Sequence, residues 1–255
     1  MVKDMAAPLP LYKYVDDTTL FEVCVRGIPS AKLQQSANDI SDWCQVNKMM
    51  INAKKTKELV ICFAKTEPDI SRLIINGQEI ERVSSTKLLG LTLSDDLSWG
   101  THIEIISKKA SQRLFALRLL KRSKVPMDKL LTIYCSLIRP VMEYACQVWH
   151  GGLTGGQSLL LESVQKRALH IIMPDASYEL ALEISELPRL DQRRKDLCQK
   201  LFKEMQSDSH RLHHLLPSIK SRDHGVREGR KYPLPKLKTD RTKDSFVNWC
   251  LFNLQ

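Results

Sequence analysis

The sequence predicts an α+β fold in two parts: antiparallel strands with a helix, then an all-helical region. Three observations predict it. Up to about residue 100, short apolar runs rich in Val, Ile and Thr are separated by turn residues, which is the pattern of strands. From His102 onward, apolar residues recur at three- and four-residue spacing, which is the pattern of amphipathic helices. The 255 residues, 43% hydrophobic and 27% charged, suffice to build packed cores.

Residues 11–15 and 18–23 read as two strands joined at Asp16-Asp17. Ser30, behind Pro29, can cap a helix whose Leu33, Ala37, Ile40, Trp43 and Cys44 share one face. Residues 59–63, Leu-Val-Ile-Cys-Phe, read as a strand. Asn76-Gly77 sits between Leu73-Ile74-Ile75 and Ile80 and predicts a type I′ hairpin, since both central residues must take positive φ. Residues 88–93 read as a further strand. In the second part, Ile103, Ile106, Ala110, Leu114 and Leu117 form one helical stripe. Residues 127–138 predict a second helix, ended or kinked at Pro140 and resumed over 141–149. Gly151-Gly152 and Gly155-Gly156 bracket a loop, and 159–172 and 190–205 predict two more helices. Residues 220–243 hold nine lysines and arginines against three acids, with two prolines, and are expected to form a flexible basic tail. The expected domains are therefore 1–100, 101–219 and 220–255.

A net charge of +10 and a pI of about 9.3 favour an anionic partner, nucleic acid first among them, over a merely solvated basic surface. Seven cysteines, an odd count with no Cys-x-x-Cys, argue against a disulfide framework or a zinc module. A reducing compartment, nucleus or cytoplasm, is expected. Residues 1–10 lack the apolar run of a secretory leader, and no run reaches 18 apolar residues, so no membrane partner is expected. Nothing in the sequence fixes an oligomeric state.

Asp16 and Asp17 are the first candidates for chemistry. Phosphoryl transfer is commonly run on divalent ions, and Mg²⁺ takes one or two carboxylates plus phosphate oxygens. An Asp-Asp pair alone says little, because aspartate is favoured in turns; Asp95-Asp96 reads as such a plain turn. Lys108, Lys109, Arg113, Arg118, Lys121 and Arg122 line the helix after His102 and could track phosphates, the alternative being a solvated helix face. Tyr12, Tyr14 and Trp99 read as core aromatics rather than base-stacking platforms. His210, His213 and His214 cluster without acids or cysteines at ligand spacing, and read as a solvated helix end.

The flanks of the aspartates sharpen the reading. Leu-Tyr-Lys-Tyr-Val-Asp-Asp-Thr-Thr-Leu at 11–20 resembles the catalytic hairpin of non-LTR (LINE-like) retrotransposon reverse transcriptases. Asn52-Ala53-Lys54-Lys55-Thr56 resembles that family's next motif. Thr86-Lys87-Leu88-Leu89-Gly90-Leu91, Leu97-Ser98-Trp99 and His102-Ile103 resemble the stretch beyond it. Ile138-Arg139-Pro140, Glu143-Tyr144-Ala145, Val148-Trp149 and Gln165-Lys166-Arg167-Ala168 resemble the helical region that follows, so the likeness runs from about residue 11 to 205.

The resemblance implies a partial polymerase palm followed by a helical thumb-like region. It also implies RNA-directed DNA polymerase chemistry on an RNA or DNA template-primer. In a complete parent enzyme, Asp16 and Asp17 would hold Mg²⁺, and Lys55 would neutralise or protonate the leaving pyrophosphate. The family also uses a first catalytic aspartate and a fingers region upstream of the hairpin. Asp4 is the only acid before Asp16, so the chain is expected to be inactive by itself. Two other readings are open. One is a non-catalytic, basic nucleic-acid-binding protein. The other rests on a likeness of residues 70–138 to the N-terminal region of an AlkB-type alkylation-repair homologue. Its oxygenase chemistry would need a His-x-Asp/Glu pair, and His102-Ile103-Glu104 is the His-x-Glu of this chain.

Overall fold

The chain divides after Ser98 into two units, Met1–Ser98 and Trp99–Gln255. The computed structural model describes residues 5–24, 32–64, 70–219 and 231–254. The cap expected at Ser30, the acid Asp4 and residues 220–230 of the expected tail lie outside the described residues.

The first unit is built from local pairings. Strands β1 (Leu11–Tyr14) and β2 (Asp17–Leu20) form an antiparallel hairpin. Helix α1 (Lys32–Val46) follows. Short β3 (Lys57–Glu58) runs parallel to β6 (Glu81–Arg82), while β4 (Ile74–Ile75) and β5 (Gln78–Glu79) make a second hairpin. A third joins β7 (Ser85–Leu88) to β8 (Leu91–Ser94). Among the described residues these remain four separate two-stranded sheets. One face of α1 gathers two small cores. Ile40 and Cys44 take Met5, Leu11, Leu20 and Ile51, and Ala37 takes Ile75 and Ile80.

The Asn76-Gly77 turn forms as expected, with φ of +51° and +73°. Two strand expectations need correction. The apolar run 59–63 is not a strand; pairing stops at Glu58, whose carboxylate is engaged by Arg82 at 2.9 Å, and Ile61 and Phe63 stay exposed. The run 88–93 is not one strand either. Leu89 and Gly90 both take positive φ and turn the chain back on itself, which the Leu-Gly pair permits because glycine has no Cβ to clash.

The second unit is helical: α2 (Gly100–Arg122), α3 (Met127–Ile133), α4 (Arg139–Glu143), α5 (Cys146–Trp149), α6 (Gly155–Ile172), α7 (Tyr178–Ser185), α8 (Leu190–Met205), α9 (Asp240–Lys243) and α10 (Phe246–Asn253). The stripe Ile103, Ile106, Ala110, Leu114 and Leu117 is buried as its spacing predicts. Pro140 does not end its helix. It lacks an N–H and crowds the carbonyl four residues back, and the chain answers with a π-helical turn, Tyr134–Ile138, between α3 and α4. The break comes later, at Ala145, where φ is +48°. Gly155 and Gly156 belong to α6 rather than to a loop. Thr154 accepts from the Gln157 amide and the Gln157 side chain accepts from the Thr154 amide, a complete capping box.

From Lys231 on, the segment expected as a basic tail is anchored at its two ends, by Tyr232 and by residues 246–254, while the Lys/Arg-rich stretch between stays largely exposed. Tyr232, Cys250 and Leu251 are buried with Phe202 of α8. A Cβ on Gly151 would stand 2.4 Å from the Asp244 carbonyl and 2.9 Å from the Trp249 ring, so only glycine admits this approach. The aromatic and aliphatic residues at 246–254 supply the apolar face that the Lys/Arg-rich stretch before them lacks.

A buried polar chain ties four helical segments together. The Tyr134 hydroxyl donates to Gln165 Oε1 at 2.6 Å, and Gln165 Nε2 donates to the Tyr178 hydroxyl and the Pro188 carbonyl. The Tyr178 hydroxyl donates to Glu162, whose other oxygen accepts from the Leu190 amide at 3.0 Å. Gln165 is wholly enclosed. Burial also pushes the Tyr134 and Tyr178 hydroxyls up in pKa, keeping them protonated donors.

Candidate functional site

The β1–β2 register pairs Tyr14 with Asp17, leaving Val15-Asp16 as a two-residue turn. Opposed residues of an antiparallel pair share a face. Leu11 and Leu20 therefore lie on the face toward Ile40 and Cys44, while Tyr12, Tyr14 and Asp17 share the opposite, solvent-facing side. Tyr12 and Tyr14, expected in the core, are 60% and 63% exposed, and Tyr12 stacks on Phe21 at 5.6 Å. The reason is that a two-stranded sheet has only one face to pack here.

Val15 takes φ +58°. A β-branched residue in the left-handed region costs about 1–2 kcal/mol, where glycine or asparagine would cost little. The turn thus holds an unfavourable backbone at the residue before the aspartates. Asp16 and Asp17 are both exposed, and no hydrogen bond or ion pair from the described residues engages either carboxylate. They form a pair of adjacent hard oxygen donors, a chemistry that suits Mg²⁺.

The Asn52–Thr56 motif is also a turn. Asn52 Oδ1 accepts from the Lys55 amide at 3.1 Å, and the Asn52 carbonyl accepts from the Thr56 amide and hydroxyl, both at 3.0 Å. Asparagine and threonine are thereby spent on the backbone, and Lys55 is carried exposed. Ile51, beside Asn52, packs on the same Ile40–Cys44 surface as Leu11 and Leu20. The hairpin and this turn therefore stand on one platform, though no ion pair links Lys55 to Asp16 or Asp17. Asp95-Asp96 is the plain turn expected of it, with Asp96 accepting from the Ser98 amide at 2.8 Å.

All six basic residues proposed on α2 are exposed, but they are not equivalent. Arg113 donates to the Leu137 carbonyl beside the π turn. Lys121 donates at 2.8 Å to the Ile172 carbonyl at the end of α6. Lys108, Lys109, Arg118 and Arg122 carry no such bond to the described residues. Sequence reasoning missed that Lys108, Ser111, Phe115, Arg118 and Arg122 fall at alternating three- and four-residue steps, one stripe of the helix, with Phe115 62% exposed in its middle. The 3.6-residue period alone could have found it.

His102 is buried with its ring 5.9 Å from that of Trp99 and 5.8 Å from that of Trp149, and burial lowers its pKa. Glu104 is exposed. The two therefore leave α2 in different directions and do not form the His-x-Glu pair an oxygenase site needs. His213 bridges the Met205 carbonyl at 3.0 Å and Asp208 at 3.3 Å, at the end of α8. Among the described residues no group of three or more His, Cys, Asp or Glu converges as a metal site, and no helix is long and apolar enough to cross a membrane.

Comparison with known proteins bears on part of the chain. A family model described as "Alkylated DNA repair protein alkB homolog 8, N-terminal" matches residues 99–139, a short stretch from α2 to the start of α4. The chain is 24% identical over 142 residues to the "Probable RNA-directed DNA polymerase from transposon BS" of Drosophila melanogaster, covering 55% of this chain and 16% of that protein. It is 23% identical over 199 residues to the "RNA-directed DNA polymerase from mobile element jockey" of the same fly, covering 75% of this chain and 21% of that protein. To the jockey polymerase of Drosophila funebris it is 26% identical over 140 residues, or 53% of this chain and 15% of that one. The chain is thus similar to transposon RNA-directed DNA polymerases over half to three-quarters of its length, and spans about a fifth or less of theirs. No solved structure matches it.

Proposed function

We propose that this chain carries the catalytic hairpin and the helical nucleic-acid-holding region of an RNA-directed DNA polymerase, and that these 255 residues alone bind a template-primer without extending it. The observation that carries the reading is the Tyr14-Val15-Asp16-Asp17 turn, where a strained valine precedes two adjacent, exposed carboxylates that no described residue engages. Strain of this kind gathers at functional sites. The names of the similar transposon proteins support the same chemistry.

In this reading the first unit is part of a polymerase palm and the helical unit a thumb. Asp16 and Asp17 would hold Mg²⁺, which when bound supplies charge stabilisation to the oxygens exchanged in phosphoryl transfer. Lys55 would neutralise or protonate the departing pyrophosphate. Lys108, Lys109, Arg118 and Arg122 would follow the phosphates of the bound duplex. Extension would need a further catalytic aspartate, which the resemblance places upstream of the hairpin.

The test is binding and primer extension on an RNA template. Fluorescence anisotropy is expected to show binding that weakens tenfold or more between about 50 and 200 mM salt and is unchanged by Asp16→Asn. With Mg²⁺ and nucleotides, no extension is expected. Absence of binding at low salt would overturn the nucleic-acid reading, and extension abolished by Asp16→Asn would overturn the claim that the chain is inert alone.

A further inference from the structure

Beside α2 lies a second basic feature. Ser163, Lys166, Arg167 and His170 occupy one face of α6 and form one wall of a cleft of about 800 Å³. The opposite wall is the start of α7, with Ser177 and Tyr178. The Ser177 hydroxyl caps this helix by accepting from the Leu180 amide at 3.2 Å. First-turn amides and the positive end of the helix dipole favour an anion there. The Tyr178 ring lies 6.0 Å from Lys166 Nζ, while its hydroxyl is turned into the buried polar chain, fixing the ring as part of the cleft wall. Glu179 is the acid that lines the cleft and opposes an anion.

Arg167 joins the two features. Its Nη2 donates at 2.8 Å to Ser111 Oγ, the residue of the α2 stripe between Lys108 and Phe115. The cleft is therefore continuous with the stripe rather than a separate patch. The basic and aromatic groups run from Arg122, Arg118 and Phe115 through Ser111–Arg167 to Lys166, His170 and Tyr178.

We propose that the α6–α7 cleft is a phosphate-binding site for a nucleic-acid strand leaving α2, with Lys166 and Arg167 as the anion-holding pair and Tyr178 as the apolar wall against the sugar or base. The proposal rests on the nucleic-acid reading above and extends it along the same surface to a further point of grip. Glu179 sets its sign: removing that charge should tighten binding, whereas loss of Lys166 should weaken it.

Amine acylation of the full chain, read by mass spectrometry, tests this with single-stranded RNA and with inorganic phosphate as separate probes. Lys166 is expected to be protected by RNA at concentrations that saturate anisotropy. Lys108 and Lys109 report the α2 contact independently, and Lys121, bonded to the Ile172 carbonyl, serves as the slow internal reference. In anisotropy, Lys166→Gln should weaken RNA binding several-fold and flatten the log–log salt slope by about 0.7, the share of one single-strand phosphate. Glu179→Gln should tighten it about twofold or more. Protection of Lys108 and Lys109 without Lys166 overturns the cleft and leaves the nucleic-acid reading standing. Protection of none overturns both. Protection of Lys166 by inorganic phosphate alone shows a small-anion pocket and overturns the assignment to nucleic acid. Both side chains are exposed, so the variants leave the core untouched.

Discussion

The two units of this chain place their candidate chemistry on opposite kinds of support. In Met1–Ser98, Tyr12, Tyr14, Val15 and Phe63 stand in solvent, and among the described residues the sheets stop at two strands. In Trp99–Gln255, Trp149, Arg194 and Tyr134 are fully enclosed, and a polar chain with Gln165 at its centre is satisfied inside. Isolated two-stranded hairpins are marginal in water, so the aspartate turn depends on local turn geometry and one small core. The basic stripe of α2 stands on a packed helix. The difference teaches that exposed carboxylates can be presented by a thin scaffold, whereas a row of cations at fixed spacing needs a rigid one.

The largest expected effect would come from Gln165→Leu. It strands the Tyr134 hydroxyl, one bond of Tyr178 and the Pro188 carbonyl, and should cost the helical unit about 3 kcal/mol. Hydrogen exchange should register the loss in α3, α6 and α8 while β1–β2 amides keep their rates. Equal loss in both units would break the comparison. Next, Gly151→Ala should cost about 2 kcal/mol, because the Asp244 backbone has to move and takes α10 with it. Denaturant unfolding checks this, and a change under about 0.5 kcal/mol would mean the C-terminal helices are not held there.

Acid should separate the units at similar scale. Burial, with Arg194 nearby, lowers the His150 pKa to about 4 from 6.5. The unfolded chain thus takes up the proton first, so stability present above pH 6.5 is lost as pH falls toward 4 and then levels off. The loss should be roughly 2 kcal/mol after screening by residual solvent. His102, also lowered by burial, acts in the same direction. Chemical denaturation at several pH values, repeated with His150→Phe, measures it; an unchanged slope in that variant would rule His150 out. The smallest effect should be Val15→Asn, which relieves a positive φ and should stabilise the hairpin by about 1 kcal/mol, seen as slower exchange in β1 and β2 and no change in α2.

Much of this was legible in the residues. Asn76-Gly77 announced its turn and the Ile103–Leu117 spacing announced its buried face, whereas the capping box at Thr154 and Gln157 went unread because the glycines beside it suggest a loop. What was not legible was decided by tertiary packing. Residues 59–63 carry strand-like side chains, but among the described residues no partner strand pairs with them. The C-terminal segment looked like solvated tail because the residues that bury it, Phe202 and Gly151, lie far away in sequence. At the candidate site, the aspartates and Lys55 were readable as motifs. The diversion of Arg113 and Lys121 to backbone carbonyls was not, since it depends on where other helices end.

The π turn before Pro140 has a consequence of phase. Leu130, Tyr134, Ile138 and Met142 are all buried, yet they repeat every four residues. On an uninterrupted α-helix such a repeat slips about 40° per step, so Met142 would stand about 120° away from Leu130. The wider turn at Tyr134–Ile138 absorbs that slip and returns the fourth residue to the same azimuth. Proline thereby acts as a clock reset for the helix. Deleting a single residue within the turn would set Met142 eleven residues after Leu130, about 20° away on a regular α-helix, so the turn would close to α geometry with the buried face kept.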